Sequence, residues 1–382
     1  MSKKVVIIGS AHPLRGGLAT YNERLAKEFI KNGHEVILYT FKLQYPSIFF
    51  PGKSQYSTSP PPDKINIKVV INSINPFNWI KIGKKIKKEN PDLVIIKFWI
   101  PFMGPCYGTI LREIKKNRHS KVISIIDNII PHEKRLGDKA FTNYFIKPVD
   151  AFITMSKSVL QEIKLFTNKP KVFSPHPLYD NFGDIISKKE AKAKLKLAPE
   201  FNYLLFFGFI RNYKGLDLIL EAITHKEIAK LPLKLIIAGE FYENPELYLN
   251  LIEKNNLNDK IILRTNFIPD EQVADYFNAA DLVVQPYKSA TQSGVTQIAY
   301  HFNKPVLVTN VGGLPEIIPH GKVGYVINPV PSEIANSIID FYKNSKENEF
   351  LPNILEQKKK YSWDKMLNVI FELYNLNNNN DN

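Results

Sequence analysis

The chain has 382 residues, 44% of them hydrophobic, and this length predicts two domains rather than one core. A single cysteine excludes an internal disulfide framework, and the sequence contains no apolar run near the ~18 residues that span a bilayer. The first ten residues lack the apolar core of a signal peptide. We therefore expect a cytoplasmic protein, whose membrane contact, on the inner face of the cell membrane, is peripheral.

The net charge of +14 is divided unevenly along the chain. Residues 1–180 hold 29 Lys and Arg against 13 Asp and Glu, whereas residues 181–382 hold 22 against 24. This asymmetry predicts an anionic partner for the first half, such as a membrane surface, a phosphorylated lipid or a polyanion. Nucleic acid is not the expected partner, because no finger spacing, RNA-binding aromatic signature or helix-turn-helix accompanies the charge.

Short apolar runs rich in Val and Ile alternate with longer amphipathic stretches along the whole chain. These runs are Val5–Ile8, Val36–Leu38, Leu93–Ile96, Val122–Ile126, Ala151–Thr154, Tyr203–Phe207, Leu235–Ile237, Ile261–Leu263, Leu282–Val284 and Val306–Val308. Near-continuous apolar strands separated by helices are typical of parallel sheets that are covered on both faces. The pattern predicts an α/β protein with two doubly wound, Rossmann-like domains that face each other across a ligand-binding cleft.

The domain boundary is expected in Ser174–Gly183, where two prolines, a glycine and polar residues interrupt the periodicity. We predict an N-terminal domain at 1–175, a C-terminal domain at 176–353, a helix at 354–375 and a disordered tail at 376–382. A second irregular stretch, Gln44–Asp63, is predicted to be a long loop of the first domain.

Two short stretches carry the residue types that bind phosphate. Gly16 and Gly17 follow the first strand, where the lack of Cβ atoms lets a backbone approach a phosphate; a tight turn with positive φ explains them equally well. Arg211 and Lys214 follow the first strand of the second half, a position where α/β proteins bind ligands, and their alternative is a solvated surface. We place Asn22 on the polar side of the first helix.

The stretch KSATQSGVTQIAYHFNKP, residues 288–305, begins with small and polar side chains and continues as a helix. Free N–H groups at a helix start suit an anion. Together with FGFIRNYKGLDLILEA, ADLVVQPY and KPVLVTNVGGLPEII, this order of motifs resembles the retaining nucleotide-sugar glycosyltransferases of the GT-B fold, family four. The resemblance covers nearly the whole chain. It implies that the first domain recognises the acceptor, the second holds the nucleotide sugar, and the final helix returns to the first domain.

The resemblance also assigns roles to individual residues. It implies that Arg211 and Lys214 are catalytic groups that hold the donor phosphates. Further residues follow by position: Gly16, Gly17, Ser293 and Gly294 on the diphosphate, and Gly239, Glu240, Gln297 and Glu316 on the nucleotide. In the family's usual reaction the leaving diphosphate accepts the acceptor proton, so the protein chiefly positions groups and stabilises charge.

Two departures from the family pattern stand out. The usual pair of glutamates is replaced by Ala290 and Ile298, and we expect Gln297 to bind the ribose instead; its alternative is a solvent-facing residue of the first helical turn. Asp127 replaces a histidine that orients the transferred sugar in many relatives, and its carboxylate suits sugar hydroxyls or the acceptor proton. His132 and Glu133 are candidate acceptor or sugar ligands, or else loop residues.

No metal or cofactor is expected. The eight histidines are scattered and no Asp-x-Asp or His-x-x-x-His spacing is present, so we predict metal-independent transfer with the nucleotide sugar as substrate. The basic segment Asn78–Lys88 is interpreted in two ways. Trp79, Ile82 and Ile86 either enter a membrane interface or, as we favour, pack on the sheet beneath a basic face that docks on anionic lipid.

The predicted function is transfer of a sugar to a glycan or lipid-linked acceptor in cell-envelope polysaccharide synthesis. Two alternatives remain open at this point: a sugar-nucleotide epimerase of the same fold, and a non-catalytic protein that binds sugar nucleotides or polyanions. The epimerase would give no role to the basic first half, and Arg211 with Lys214 would suit either a binding protein or an enzyme.

Overall fold

The computed structural model describes residues 2–46, 54–57, 60–131 and 135–379, with side chains through residue 376. The chain forms two compact units, one of Met1–His176 with Ser362–Asn382 and one of Pro177–Tyr361. The predicted loop Gln44–Asp63 lies partly outside the described residues. No described helix combines the length and apolar character that crossing a bilayer requires.

The first unit is built on a seven-stranded sheet in which every described pairing is parallel. Its elements are β1 (Lys4–Ile8), α1 (Gly17–Lys31), β2 (Glu35–Leu43), β3 (Asn66–Asn72), α2 (Pro76–Glu89), β4 (Leu93–Phe98), α3 (Gly104–Lys115), β5 (Lys121–Ile126), α4 (Asp138–Ile146), β6 (Ala151–Thr154), α5 (Lys157–Lys164) and β7 (Lys171–Phe173). The strand order is β3-β2-β1-β4-β5-β6-β7. The order reverses at β1 and β4, and ligands of α/β sheets bind beyond the carboxyl ends of such strands.

The second unit contains a six-stranded sheet, also parallel in every described pairing. Its elements are α6 (Lys188–Lys194), β8 (Asn202–Phe207), α7 (Leu216–Ile223), α8 (Lys226–Ala229), β9 (Leu233–Ala238), α9 (Glu246–Lys254), β10 (Ile261–Arg264), α10 (Asp270–Ala279), β11 (Leu282–Gln285), α11 (Gly294–His301), β12 (Val306–Thr309), α12 (Leu314–Ile317), β13 (Gly324–Ile327), α13 (Pro331–Lys343) and α14 (Lys346–Gln357). The order β10-β9-β8-β11-β12-β13 puts its switch point at β8 and β11.

The predicted fold class is confirmed, and each of the ten predicted apolar runs lies within one observed strand. Residues 93–98 of β4 are all buried, as expected for a central strand that helices cover on both faces. The sequence missed β3, β7 and β13. Each is short or lies at a sheet edge, where one side is open and no continuous apolar run is needed.

The C-terminal region differs from the prediction of one helix at 354–375. The second unit continues to Tyr361, not 353, because Ile354 belongs to α14 and a short 3-10 turn follows at Lys358–Tyr361. A new helix, α15 (Trp363–Asn379), then contacts α1, β5 and β6 of the first unit. The hydroxyl of Ser362 accepts the Lys365 N–H at 3.3 Å, which is typical of a helix start.

The predicted disordered tail at 376–382 is wrong for its first part. The backbone of α15 is helical through Asn379. Once a helix has formed, each added residue contributes a further hydrogen bond, so extension past the last packed turn needs no apolar side chain.

Candidate functional site

Lys214 is the most unusual cation at the carboxyl edge of the second sheet. It ends a 3-10 turn between β8 and α7 and is only 8% exposed. It forms no ion pair with any residue of the described chain. Burial, and then the positive charge of Arg211, lower the pKa of Lys214 to about 8. A buried ammonium beside a second cation favours the binding of an anion.

Glycines bring two loops together beside this lysine. Gly208 and Gly239 both have positive φ, and a Cβ on Gly239 would overlap the Gly208 carbonyl. A Cβ on Gly208 would come within 3.0 Å of Lys214 Nζ. Glu240 is buried, and its carbonyl accepts the Ile210 N–H at 2.8 Å, which fixes the same two loops to each other.

The start of α11 lies next to the same lysine. The Tyr287 ring centre is 5.6 Å from Lys214 Nζ, and the Tyr287 hydroxyl is 3.5 Å from the Ser293 hydroxyl that precedes the helix. Gly294 lies against Tyr179, whose ring would be 2.8 Å from an added Cβ. The first N–H groups of a helix have no partner within it. A buried cation and a helix start therefore lie together in a form suited to a diphosphate.

Gln297, one turn into α11, is not solvent-facing, and that interpretation is wrong. Its side chain is fully buried, and neither amide atom has a hydrogen-bond partner among the described residues. Leaving such a group unpaired costs about 1–3 kcal/mol, so it calls for an explanation. Its role at the ribose stays a prediction.

Glu316 is exposed in the first turn of α12. The preceding glycines pack on the loop before α11: a Cβ on Gly312 would overlap the Ala290 carbonyl, and Gly313 N–H donates to the Thr291 carbonyl at 3.1 Å. This contact joins the β12 loop to the stretch that leads into Ser293. The nucleotide role of Glu316 stays a prediction.

The sequence interpretation missed an aromatic cluster beside Arg211. The rings of Phe209 and Tyr242 lie 4.2 Å apart, and Phe209 stacks at 6.4 Å on Phe267. The Arg211 guanidinium is 5.4 Å from the Tyr242 ring centre. These rings come from loops after β8, β9 and β10 and are partly exposed. They form a surface on which a nucleobase can stack.

In the first unit, Gly16 and Gly17 form the start of α1. Gly16 has φ +98°, and its carbonyl accepts the Ala19 and Thr20 N–H groups at 2.9 and 3.2 Å. The placement of Asn22 on the polar side of α1 is wrong. Asn22 is buried, and its side-chain amide donates to the Ser10 carbonyl at 2.9 Å. This hydrogen bond holds the loop that links β1 to α1.

Asp127 does not stand alone at the end of β5. Its carboxylate lies 3.0 Å from Nζ of Lys97, which is buried near the end of β4 and sits 3.5 Å from the Tyr21 ring centre. Burial lowers the pKa of Lys97, while Asp127 acts in the opposite direction. Sequence reasoning missed Lys97, although a lysine inside an apolar strand is a signal that could have found it.

His132 and Glu133 lie outside the described residues, so their acceptor role stays a prediction. Within the part of the chain that the structure describes, no three His, Cys, Asp or Glu side chains are grouped to hold a metal ion. Metal independence likewise stays a prediction.

Two protein-family models match the chain. The model described as Glycosyltransferase Family 4 matches residues 15–174, and the model described as Glycosyl transferases group 1 matches residues 187–358. An uncharacterized glycosyltransferase of Methanocaldococcus jannaschii is 27% identical over 303 residues, which are 78% of this chain and 79% of the relative.

Solved structures show the same fold. Sucrose-phosphate synthase from Thermosynechococcus elongatus is 15% identical and superposes with a TM-score of 0.76 over 98% of this chain and 99% of its own. Anabaena HepE in complex with UDP-glucose is 14% identical, with a TM-score of 0.71 over 97% and 98%. The chain therefore belongs to the family-four glycosyltransferases, retaining enzymes of the GT-B fold that transfer a sugar from a nucleotide sugar.

Proposed function

We propose that the protein transfers a sugar from a nucleotide-diphosphate donor to a glycan or lipid-linked acceptor in cell-envelope polysaccharide synthesis, at the cytoplasmic side of the membrane. The observation that carries the donor half is the buried Lys214, which has the positive charge of Arg211 nearby and no acidic partner among the residues that the structure describes. A diphosphate supplies the missing negative charge and meets the start of α11 at the same place.

In this proposal Arg211 and Lys214 act on the leaving group. The bond between the anomeric carbon and the diphosphate oxygen breaks, the acceptor oxygen bonds to the same carbon on the same face, and the acceptor proton passes to the diphosphate. Negative charge grows on the diphosphate during this step, so cations placed there stabilise the transition state more than the ground state.

A uridine nucleotide is the first donor to test. The aromatic cluster of Phe209, Tyr242 and Phe267 supports the binding of a flat base next to Arg211. HepE, which shares the fold, is described in complex with UDP-glucose. The proposed acceptor rests on the positive charge of the first half, which suits a phosphorylated lipid carrier.

Thermal unfolding without added metal, in the presence of UDP, GDP, ADP or pyrophosphate, tests the donor site. We expect one base class to raise the unfolding temperature in the wild type and in Lys254→Ala, which removes an exposed lysine of α9. We expect no such rise in Lys214→Met or Arg211→Ala. A lack of stabilisation by every nucleotide in the wild type would overturn the proposed donor site.

Transfer of radiolabelled sugar from the donor so found tests the acceptor. We expect label to appear in products made from a polyprenyl-diphosphate-linked sugar or an oligosaccharide. Label appearing only on small soluble acceptors, such as hydroxy acids, would overturn the acceptor class and leave the donor site standing.

A further inference from the structure

One side of α2 presents a row of exposed side chains. Phe77, Lys81, Lys84 and Lys88 follow one another at spacings of four, three and four residues, which places them on the same side of a helix. All four are exposed, Phe77 to 84%. We call these four residues the basic row.

The opposite side of α2 is packed in the unit. Ile82 and Ile86 are buried, and the Trp79 indole donates to the Asn72 carbonyl at 2.7 Å. Gly83 lies so close to α3 that an added Cβ would be 2.8 Å from the Ile110 carbonyl. The packed interpretation of this helix is confirmed. Insertion of Trp79, Ile82 and Ile86 into a bilayer is excluded, and the basic row is the side that remains outward.

The three lysines of the row have no acidic partner among the described residues. The one acid of α2, Glu89, bonds instead to Lys68 and Tyr39 at 2.8 and 2.5 Å. Two exposed lysines on other helices differ in this respect, because Lys116 pairs with Glu113 and Lys230 pairs with Glu227. Like charges three or four residues apart on a helix repel each other, so the row favours an anionic surface.

Two apolar side chains stand at the head of this row. Phe77 lies in the first turn of α2, and Ile74, just before the helix, is 50% exposed. Water-exposed apolar groups beside unpaired lysines are typical of segments that lie in a membrane interface, where the apolar groups enter and the cations meet the headgroups. A soluble polyanion would use the lysines and leave the apolar pair in water.

We propose that the basic row, with Ile74, docks the first unit on an anionic lipid bilayer. Phe77 and Ile74 enter the interface, and the lysines lie along the headgroups over about 10 Å of helix. This docking deepens the proposed function, because a lipid-linked acceptor is held at such a surface. Its physical basis is independent of the reaction and rests on the exposed residues alone.

Co-sedimentation with lipid vesicles tests the proposal. We expect the full chain to bind vesicles in which about a third of the lipid is phosphatidylglycerol and not vesicles of phosphatidylcholine alone. Each lysine near an anionic surface gives about a fivefold gain, so the triple variant Lys81→Glu, Lys84→Glu, Lys88→Glu should bind at least a hundredfold more weakly, or about 3 kcal/mol. Binding of the wild type should weaken as salt shortens the screening length.

Matched variants separate this surface from general charge. Reversing three exposed lysines of the second unit, Lys189, Lys226 and Lys254, makes the same change in net charge and should leave vesicle binding nearly unchanged. Phe77→Ser should weaken binding to vesicles about tenfold. Leu247→Ser, at an exposed leucine of α9, should not.

Three results would overturn the proposal. The first is no binding of the wild type to anionic vesicles at low salt, and the second is an equal loss of vesicle binding in the two triple-lysine variants. The third is full vesicle binding by Phe77→Ser, with heparin displacing this variant and the wild type from vesicles equally well. The last would identify a site for soluble polyanions. Donor stabilisation and transfer to an oligosaccharide acceptor are measured without lipid, so a failure of docking is distinguishable from a failure of the proposed reaction.

Discussion

Lys97 and Lys214 are both buried lysines at the carboxyl edge of a parallel sheet, one in each unit, and their surroundings are opposite. Lys97 has a carboxylate at 3.0 Å and an aromatic ring beneath it. Lys214 feels the positive charge of Arg211 and has no acidic partner in the described chain. The first charge is balanced by a carboxylate of the same unit, and the second has no such balance in the described chain.

A balanced and an unbalanced buried charge have different physical consequences. A balanced pair can hold a carboxylate in a fixed position without any ligand, but it loses stability when either partner is removed. An unbalanced buried cation lowers the stability of the free protein. It binds an anion strongly, because the anion provides the counter-charge and hydrogen bonds that the cation otherwise lacks. The two lysines should therefore respond in opposite directions to the same substitution.

The largest effect is expected for Lys97→Met. It removes the ammonium that lies 3.0 Å from the Asp127 carboxylate, which is 11% exposed, and breaking such a pair costs about 3–5 kcal/mol. Urea unfolding measures the loss. The double variant Lys97→Met, Asp127→Asn should regain most of it, because no lone charge remains.

Kinetics of that double variant sharpen the comparison. If Asp127 acts on the sugar or the acceptor, as we predict, kcat stays low although stability returns, and the Kd of the donor nucleotide changes little. Full recovery of both stability and kcat would mean that the pair is structural only. Lys230→Met, at an exposed pair, serves as the control and should barely change the unfolding curve.

Lys214→Met should lower kcat/KM roughly 30- to 1000-fold, because a charge-assisted contact in the transition state is worth about 2–4 kcal/mol. Lys214→Met should raise the stability of the free protein, whereas Lys97→Met should lower it. A pKa of about 8 in the folded chain, against 10.5 ordinarily, corresponds to about 3 kcal/mol that the charged lysine costs at pH 7. Urea unfolding of the free protein should therefore show a more stable variant. A variant that loses both activity and stability would remove the contrast with Lys97.

Donor affinity should depend on pH through the same group. The pKa of free Lys214 is about 8, and a bound diphosphate raises it, so binding takes up a proton between pH 8 and 9. Affinity should be constant below pH 8 and fall by up to about tenfold for each unit above it. The stability of the free protein should change with pH in the opposite direction. The cost of keeping Lys214 charged in its buried site is present below pH 8 and disappears towards pH 10.5, so the free energy of unfolding rises over that range.

Titration calorimetry in two buffers of different ionisation enthalpy measures this proton uptake. The uptake should vanish in Lys214→Met and persist in Lys304→Met. Lys304 is the matched control, because burial and then Lys188 also lower its pKa to about 8, while its Nζ donates to the Asn278 carbonyl. Uptake that survives in Lys214→Met would assign the proton to another group.

The fold was predictable where the sequence shows it locally. Central strands such as β4 and β11 are continuous apolar runs because helices cover both faces, whereas the edge strands β3 and β13 are partly open and show no such pattern. The two helices α14 and α15 were joined in the prediction because the 3-10 turn between them, Lys358–Tyr361, has no glycine or proline to mark it.

The site was predictable only in part, for the same reason. Arg211 and Lys214 are three residues apart and stand in a recognisable motif, but the partner of Asp127 lies thirty residues earlier. The register of the sheet brings Lys97 beside it: Phe98 of β4 pairs with Ile126 of β5, and the Asp127 N–H donates to the Phe98 carbonyl at 2.8 Å. Such a contact depends on tertiary pairing, which no local pattern shows.

Gln297 extends the comparison to an uncharged group and carries the smallest expected effect. Its amide is buried and has no hydrogen-bond partner in the described chain, whereas its neighbour Thr296 accepts from the Gln285 amide at 2.9 Å. Replacing an unpaired amide by an apolar group of similar size removes a penalty, so Gln297→Leu should stabilise the free protein by about 1–2 kcal/mol. Thr296→Val should destabilise it, because it leaves Gln285 unpaired.

A ribose contact makes a second, separate expectation for Gln297→Leu. The loss of one hydrogen bond should weaken nucleoside diphosphate binding about fivefold and leave pyrophosphate binding unchanged, because pyrophosphate has no ribose. Calorimetry with both ligands measures the difference. If Gln297→Leu lowers the stability of the free protein and leaves the affinities for nucleoside diphosphate and pyrophosphate unchanged, the Gln297 amide stabilises the core. Of Lys97, Lys214 and Gln297, only Lys214 would then have the donor as its missing partner.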